Sequence, residues 1–190
     1  MLADMTALGM PAWAAAAIGV LVVAAAVTDV RLARVPNWLT YPAIIIALAG
    51  HALAGGWTGR GANPGLSAAV QGFAVGFAPL LVCWLAGGIG GGDAKLMGAV
   101  GALGGWRFAI TAMMYGFIIA AIMAIVVMMR KKVVRRTLRR IFNAVVLLIV
   151  PGAKPADPSS PDSPKVPFAV ALSAGALAAL VANILEIGGI

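Results

Sequence analysis

Only six of the 190 residues are acidic, and their positions decide what chemistry is open to each. Asp4 and Glu186 stand near the ends of the sequence, and Asp157 and Asp162 lie in a proline-rich stretch. The other two, Asp29 and Asp93, each abut a long apolar run. An ionisable side chain at such a position is a functional candidate by default, because a charge beside hydrocarbon is expensive to keep. Two carboxylates within proton-sharing reach cannot both ionise and so titrate as one unit. Such a pair suits general acid–base work on a water molecule and a carbonyl group. It would equally suit a proton or cation site in a small transporter, although that reading favours acids near mid-span and helices broken at mid-membrane. The structural alternative is that both residues mark helix ends. Asp93 would then be an N-cap or first-turn acid favoured by the helix dipole, and Asp29 would pair with Arg31 or Arg34.

The residues before Asp93 separate these readings. Gly87-Gly88-Ile89-Gly90-Gly91-Gly92 places five glycines in six positions. Such a run does not form a stable helix, and its lack of side chains lets another backbone come close to the carboxylate. A phosphate cradle is disfavoured, since no Gly-Lys-Ser/Thr follows and an acid at the helix start repels phosphate. Lys95 either orients Asp93 or a substrate, or snorkels to the membrane interface. Cys83 is the only cysteine, so it makes no intrachain disulfide and no Cys-x-x-Cys zinc site, and its expected role is packing. No metal or cofactor site is expected.

The elements that must position these acids follow from composition. Apolar residues make up 62% of the chain and charged residues 11%, where soluble domains carry about 25% charged. A soluble globule of this balance has too few polar side chains to face water. The expected fold is therefore all-α: one membrane-embedded domain over 1–190, a polytopic protein with six transmembrane helices and a cytoplasmic interfacial amphipathic helix. The spans are expected at about 11–28, 38–54, 66–85, 94–105, 108–129 and 168–185, each near the length a bilayer requires except the short fourth. Gly104-Gly105-Trp106-Arg107 supplies the break between the fourth and fifth; a re-entrant fourth segment is the alternative. The bases of 130–140 run into an amphipathic stretch, predicted as the interfacial helix over 133–150 with its charges on anionic lipid. A proline-rich loop covers 151–167.

The net charge of +8 is read by position, because cytoplasmic loops of membrane proteins concentrate Lys and Arg. Nucleic acid is not an expected partner. With both termini outside, the pieces 31–37, 86–95 and 130–167 hold twelve of the 14 bases. No basic residue precedes the first apolar stretch, so it is expected to be a retained helix and not a cleaved signal. This topology places Asp29 and Asp93 at one depth on the cytoplasmic side of the cell membrane. His51 falls on the outer side, away from both, and is not expected to be catalytic.

Gly90-Gly91-Gly92-Asp93 matches the Gly-x-Gly-Asp motif, and Ala94-Lys95-Leu96 resembles its extension in the type IV prepilin peptidases. Thr28-Asp29-Val30-Arg31, followed by Val35-Pro36-Asn37-Trp38-Leu39-Thr40, is similar to that family's first-aspartate segment, and Val166-Pro167-Phe168 resembles its final short motif. Presenilin-like proteases share Gly-x-Gly-Asp but place tyrosine where this chain has Thr28. The resemblance implies an aspartic endopeptidase that cuts a short basic leader from pilin precursors, usually after glycine, at the cytoplasmic membrane face. Asp29 and Asp93 become the catalytic pair by position, and Gly90, Gly91, Gly92 and Lys95 the supporting loop beside an extended substrate. The chain looks like the minimal form of tight-adherence (Flp) pilus systems. Larger members add a soluble N-terminal part with two Cys-x-x-Cys pairs, and many methylate the new N-terminus. A bifunctional peptidase and N-methyltransferase is the alternative within the family; a small transporter and a non-enzymatic secretion subunit are the alternatives outside it. The pilin cut and the oligomeric state are left open.

Overall fold

A computed structural model describes residues 10–60, 63–130 and 168–187. The basic cluster from 131 onward, the interfacial helix expected over 133–150, the loop 151–167 and the Val166-Pro167 pair lie outside the described residues. The chain divides into two compact units, Met1–Ile119 with Pro167–Ile190, and Ala120–Val166; both aspartates belong to the first.

Among the described residues there are five helices: α1 (Ala12–Leu32), α2 (Asn37–Gly55), α3 (Leu66–Leu85), α4 (Gly91–Arg130) and α5 (Phe168–Ile187). Among the described residues the only β pairing is an isolated bridge between Arg60 and Asn63. All five helices are long and apolar enough to cross a membrane, as the all-α membrane fold requires. Six spans are expected from the sequence, and the fourth and fifth of them both fall within α4, on either side of a kink. The 40 residues of α4 run through the expected fourth and fifth spans with one interruption, Gly105, whose φ of 80° and ψ of 173° are not helical. Glycine takes that conformation without the Cβ penalty other residues meet. A single residue therefore breaks the helix where a short connecting loop was expected.

Two other boundaries move, and both bear on the acids. α1 continues to Leu32, so Asp29 sits within its last turns and not just after them. The helix stops at Ala33, which adopts a left-handed conformation (φ 51°) and donates its N–H to the Asp29 carbonyl. α4 begins at Gly91, so two of the glycines expected in a non-helical turn form its first turn with Asp93. Tertiary contacts override the poor helix propensity of glycine at this point. Pro42 and Pro79 lie inside α2 and α3, as membrane helices tolerate.

Packing follows small residues. On α1 the buried stripe is Ala14, Ile18, Val22, Ala25 and Asp29, a helical repeat of three and four that carries the aspartate on the core-facing side. On α5 the matching stripe is Ala169, Leu172, Ala176 and Ala179, and the two helices pack together. A Cβ at Gly72 or Gly76 of α3 would run into the α4 backbone at Gly101 or Met97, and one at Gly175 of α5 into Gly116 of α4. Such close backbone approach is how membrane helices associate when hydrophobic burial between them is weak. Leu96, Met97, Val100, Leu103 and Phe108 of α4 fill the centre. Outward side chains such as Val20, Ile45, Ile46, Leu53 and Val82 are apolar and exposed, fit for lipid. His51 is buried, its ring nitrogens 3.1 Å from the carbonyl oxygens of Pro64 and Leu103, and it packs on Trp13. It ties the α2–α3 connection to α4 next to the Gly105 break.

Candidate active site

Each aspartate is delivered by a helix end and fixed by one backbone N–H. Asp93 is the third residue of α4, and its Oδ2 accepts a hydrogen bond from the Gly90 N–H at 3.2 Å, while its own N–H donates to the Gly90 carbonyl at 3.1 Å. This is the return half of a capping box, an acid at N3 reaching back to the N-cap N–H. The helix-end reading of Asp93 therefore describes a real contact, but one that occupies a single carboxylate oxygen. Asp29 Oδ2 accepts from the Val170 N–H of α5 at 3.3 Å. Among the described residues, Arg31 and Arg34 do not pair with it; both are exposed. Asp29 and Asp93 are each 8% exposed.

The glycines hold this pair by allowing the chain to close on itself. A Cβ on Gly92 would lie 3.0 Å from the Val35 carbonyl oxygen and 3.1 Å from the Val35 Cβ. Val35 is buried in the connection that follows α1. That contact draws the start of α4, with Asp93, toward the end of α1, with Asp29. A Cβ on Gly91 would lie 3.2 Å from the Trp84 indole nitrogen, and one on Gly90 3.2 Å from Asp93 Oδ2. The three glycines thus face Val35, Trp84 and Asp93 itself.

Lys95 is bonded to α2 and, among the described residues, forms no ion pair with either carboxylate. Its Nζ donates to Asn37 Oδ1 at 2.9 Å and to the Tyr41 hydroxyl at 3.1 Å, and it sits 5.1 Å from the centre of the Tyr41 ring. It fastens the start of α4 to the start of α2, so the lysine braces the site from the side. Thr28, beside Asp29, bonds back to the Ala25 carbonyl at 3.0 Å and stays within its own helix.

Sequence reasoning singles out both aspartates, the glycines and Lys95, and quotes Val35 and Asn37 within the first-aspartate segment, but gives no packing role to Val35, no bond from Lys95 to Asn37 and Tyr41, and no part to the Val170 amide. Asn37 and Tyr41 carried a usable signal, because residues four apart at a helix start share a face. A backbone N–H contributed by α5 leaves no trace in side-chain identity.

Chemically, the arrangement offers two buried carboxyl groups, each anchored through Oδ2. Among the described residues no other hydrogen bond to either carboxylate is present.

The type IV leader peptidase family model matches residues 16–125, more than half of the chain and a stretch containing both aspartates, the glycines and Lys95. Comparison with curated proteins gives no match, and comparison with solved structures gives none. With a membrane-spanning helical fold and a family match of this extent, the chain belongs to the type IV leader peptidase family and is a prepilin peptidase, a hydrolase.

Proposed function

We propose that Asp29 and Asp93 are the catalytic pair of this peptidase, and that it removes a basic leader from a Flp-type prepilin, after glycine, at the cytoplasmic face of the cell membrane. The observation that carries this reading is that two buried carboxylates, each tethered by one backbone N–H, stand on helix ends that the Gly92–Val35 contact draws together.

The pair works with one proton between them. The ionised carboxylate takes a proton from a water molecule as its oxygen attacks the scissile carbonyl carbon. The protonated one donates a hydrogen bond to the carbonyl oxygen as negative charge develops there. Collapse of the tetrahedral intermediate breaks the C–N bond, a proton passes to the departing amine, and the remaining proton returns to the pair. Gly90 keeps the approach to Asp93 Oδ2 free of a side chain, which suits a peptide held extended for attack, while Gly91 and Gly92 let the loop close on Trp84 and Val35. Lys95 supports the loop through Asn37 and Tyr41.

The cytoplasmic assignment is favoured by charge, since Arg31, Arg34 and Lys95 flank the acids and the 130–140 bases follow α4. Anionic lipid is the proposed partner of that cluster. Transport is the weaker reading: both acids lie at helix ends, whereas a coupled-ion site belongs near mid-span. The test is incubation of the purified protein in micelles with a synthetic peptide carrying a basic leader that ends in glycine before an apolar segment. A leader-sized mass loss at the glycine bond is expected. Intact peptide, or cutting elsewhere, would overturn the proposal.

A further inference from the structure

α5 lies outside the stretch matched by the family, yet it supplies the group that holds Asp29. The Val170 N–H donates to Asp29 Oδ2 at 3.3 Å. Val170 is the third residue of α5, and the first N–H groups of a helix have no partner within it. This amide is therefore spare as far as α5 is concerned, and the aspartate is the acceptor it finds. The helix dipole adds to the bond by favouring negative charge at this end.

α5 is also well placed to hold the amide still. Ala169 and Leu172, on either side of Val170, are fully buried, and Ala176 and Ala179 continue that buried face. Farther along, the Gly175 backbone touches Gly116 of α4. The donor is thus carried on a packed helix and not on a loop, which sets the position of Asp29 relative to Asp93.

We propose that Val170 is a positioning residue: its backbone N–H fixes the Asp29 carboxylate in the orientation needed for turnover, so that α5 is part of the catalytic unit. This rests on the reading of Asp29 as catalytic. Replacing Val170 by its α-hydroxy analogue turns the Ala169–Val170 amide into an ester, which deletes this donor and leaves the side chain unchanged. The same change at Ala169 is the matched control. In full-length protein assayed on the basic-leader peptide, the Val170 ester should lower kcat about tenfold with KM within about twofold. That is the low end for a hydrogen bond to a charged group, as its length suggests. The Ala169 ester should leave kcat within about twofold.

A second measurement does not depend on how well the ester folds. Amide hydrogen exchange at Val170 should be slow in the unmodified protein and in Asp29→Asn, whose side-chain oxygen still accepts, and faster in Asp29→Ala. Unchanged protection in Asp29→Ala would overturn the inference, as would equal kcat losses for the two esters or an effect confined to KM. Cleavage by Asp29→Asn would instead overturn the reading on which the inference rests. An inactive Asp29→Asn with wild-type kcat in the Val170 ester would overturn the inference alone.

Discussion

Replacing Gly92 with alanine tests how the site is held together. The added Cβ would lie 3.0 Å from the Val35 carbonyl oxygen, 3.1 Å from its Cβ and 3.4 Å from its nitrogen. Two of these atoms are backbone, so the neighbour cannot swing aside and must give by a few tenths of an ångström. Overpacking of this kind costs about 1–3 kcal/mol, while glycine to alanine in a helix returns about 1 kcal/mol. The net loss of stability should be about 0–2 kcal/mol. Activity should suffer more. Gly92 precedes Asp93 directly and Val35 follows Asp29 by one short turn, so the displacement separates the two carboxylates. Misplacement by about 1 Å costs on the order of a hundredfold, which scales to roughly three- to tenfold in kcat for a few tenths. Gly91→Ala is the comparison, because its nearest neighbour is the Trp84 side chain, 46% exposed and able to move. Its kcat should stay within about twofold of wild type on the same scale. The assay is kcat on the basic-leader peptide, with a helical circular-dichroism melt for stability. A Gly92→Ala enzyme with wild-type kcat, or one better than Gly91→Ala, would refute the argument.

Other consequences follow from the same contacts. A pair that works with one shared proton should give a bell-shaped dependence of kcat on pH, both limbs belonging to the pair; a rate that stays level on either side would count against proton sharing. His51→Ala removes the ring set between two carbonyl groups, Pro64 and Leu103, to one of which its N–H donates, and leaves a void beside Trp13. Thermal unfolding should register a loss of about 3–5 kcal/mol, with kcat of the folded enzyme near wild type, since Leu103 stands ten residues beyond Asp93, about 15 Å along α4. A selective collapse of kcat without loss of stability would show that His51 acts on the site. Lys95→Met should loosen α2 from α4 by breaking the bonds to Asn37 and Tyr41. The expected cost is under about 1 kcal/mol, as for a solvent-exposed contact, with a modest fall in kcat; complete inactivation would give Lys95 a direct part in the chemistry.

Much of this was legible in the residues because membrane spans announce themselves by length and apolarity. The expected 66–85 span coincides with α3, and the single interruption of α4, Gly105, falls within Gly104-Gly105-Trp106-Arg107, the segment that reads as a break. The errors came at boundaries set by tertiary contact. Hydropathy falls at Asp29, which makes it look in sequence like a residue that follows the helix, whereas the helix continues until Ala33 turns left-handed. Intrinsic propensity makes Gly91 and Gly92 non-helical, whereas Val35, Trp84 and the Asp93 back-bond hold them in the first turn of α4. The aspartates stood out because charge is scarce in an apolar chain. The Val170 amide did not, because every residue but proline carries one, and only the packing of α5 on α1 decides which amide meets a carboxylate.

The most direct test of the central claim is the cleavage rate of Asp93→Asn. Asparagine retains an oxygen to accept the Gly90 N–H, so the cap on α4 and the fold should survive while the ionisable group is lost. The account predicts a protein with wild-type helical content and melting behaviour that leaves the basic-leader peptide uncut. Leader removal by that variant at a rate near wild type would contradict it.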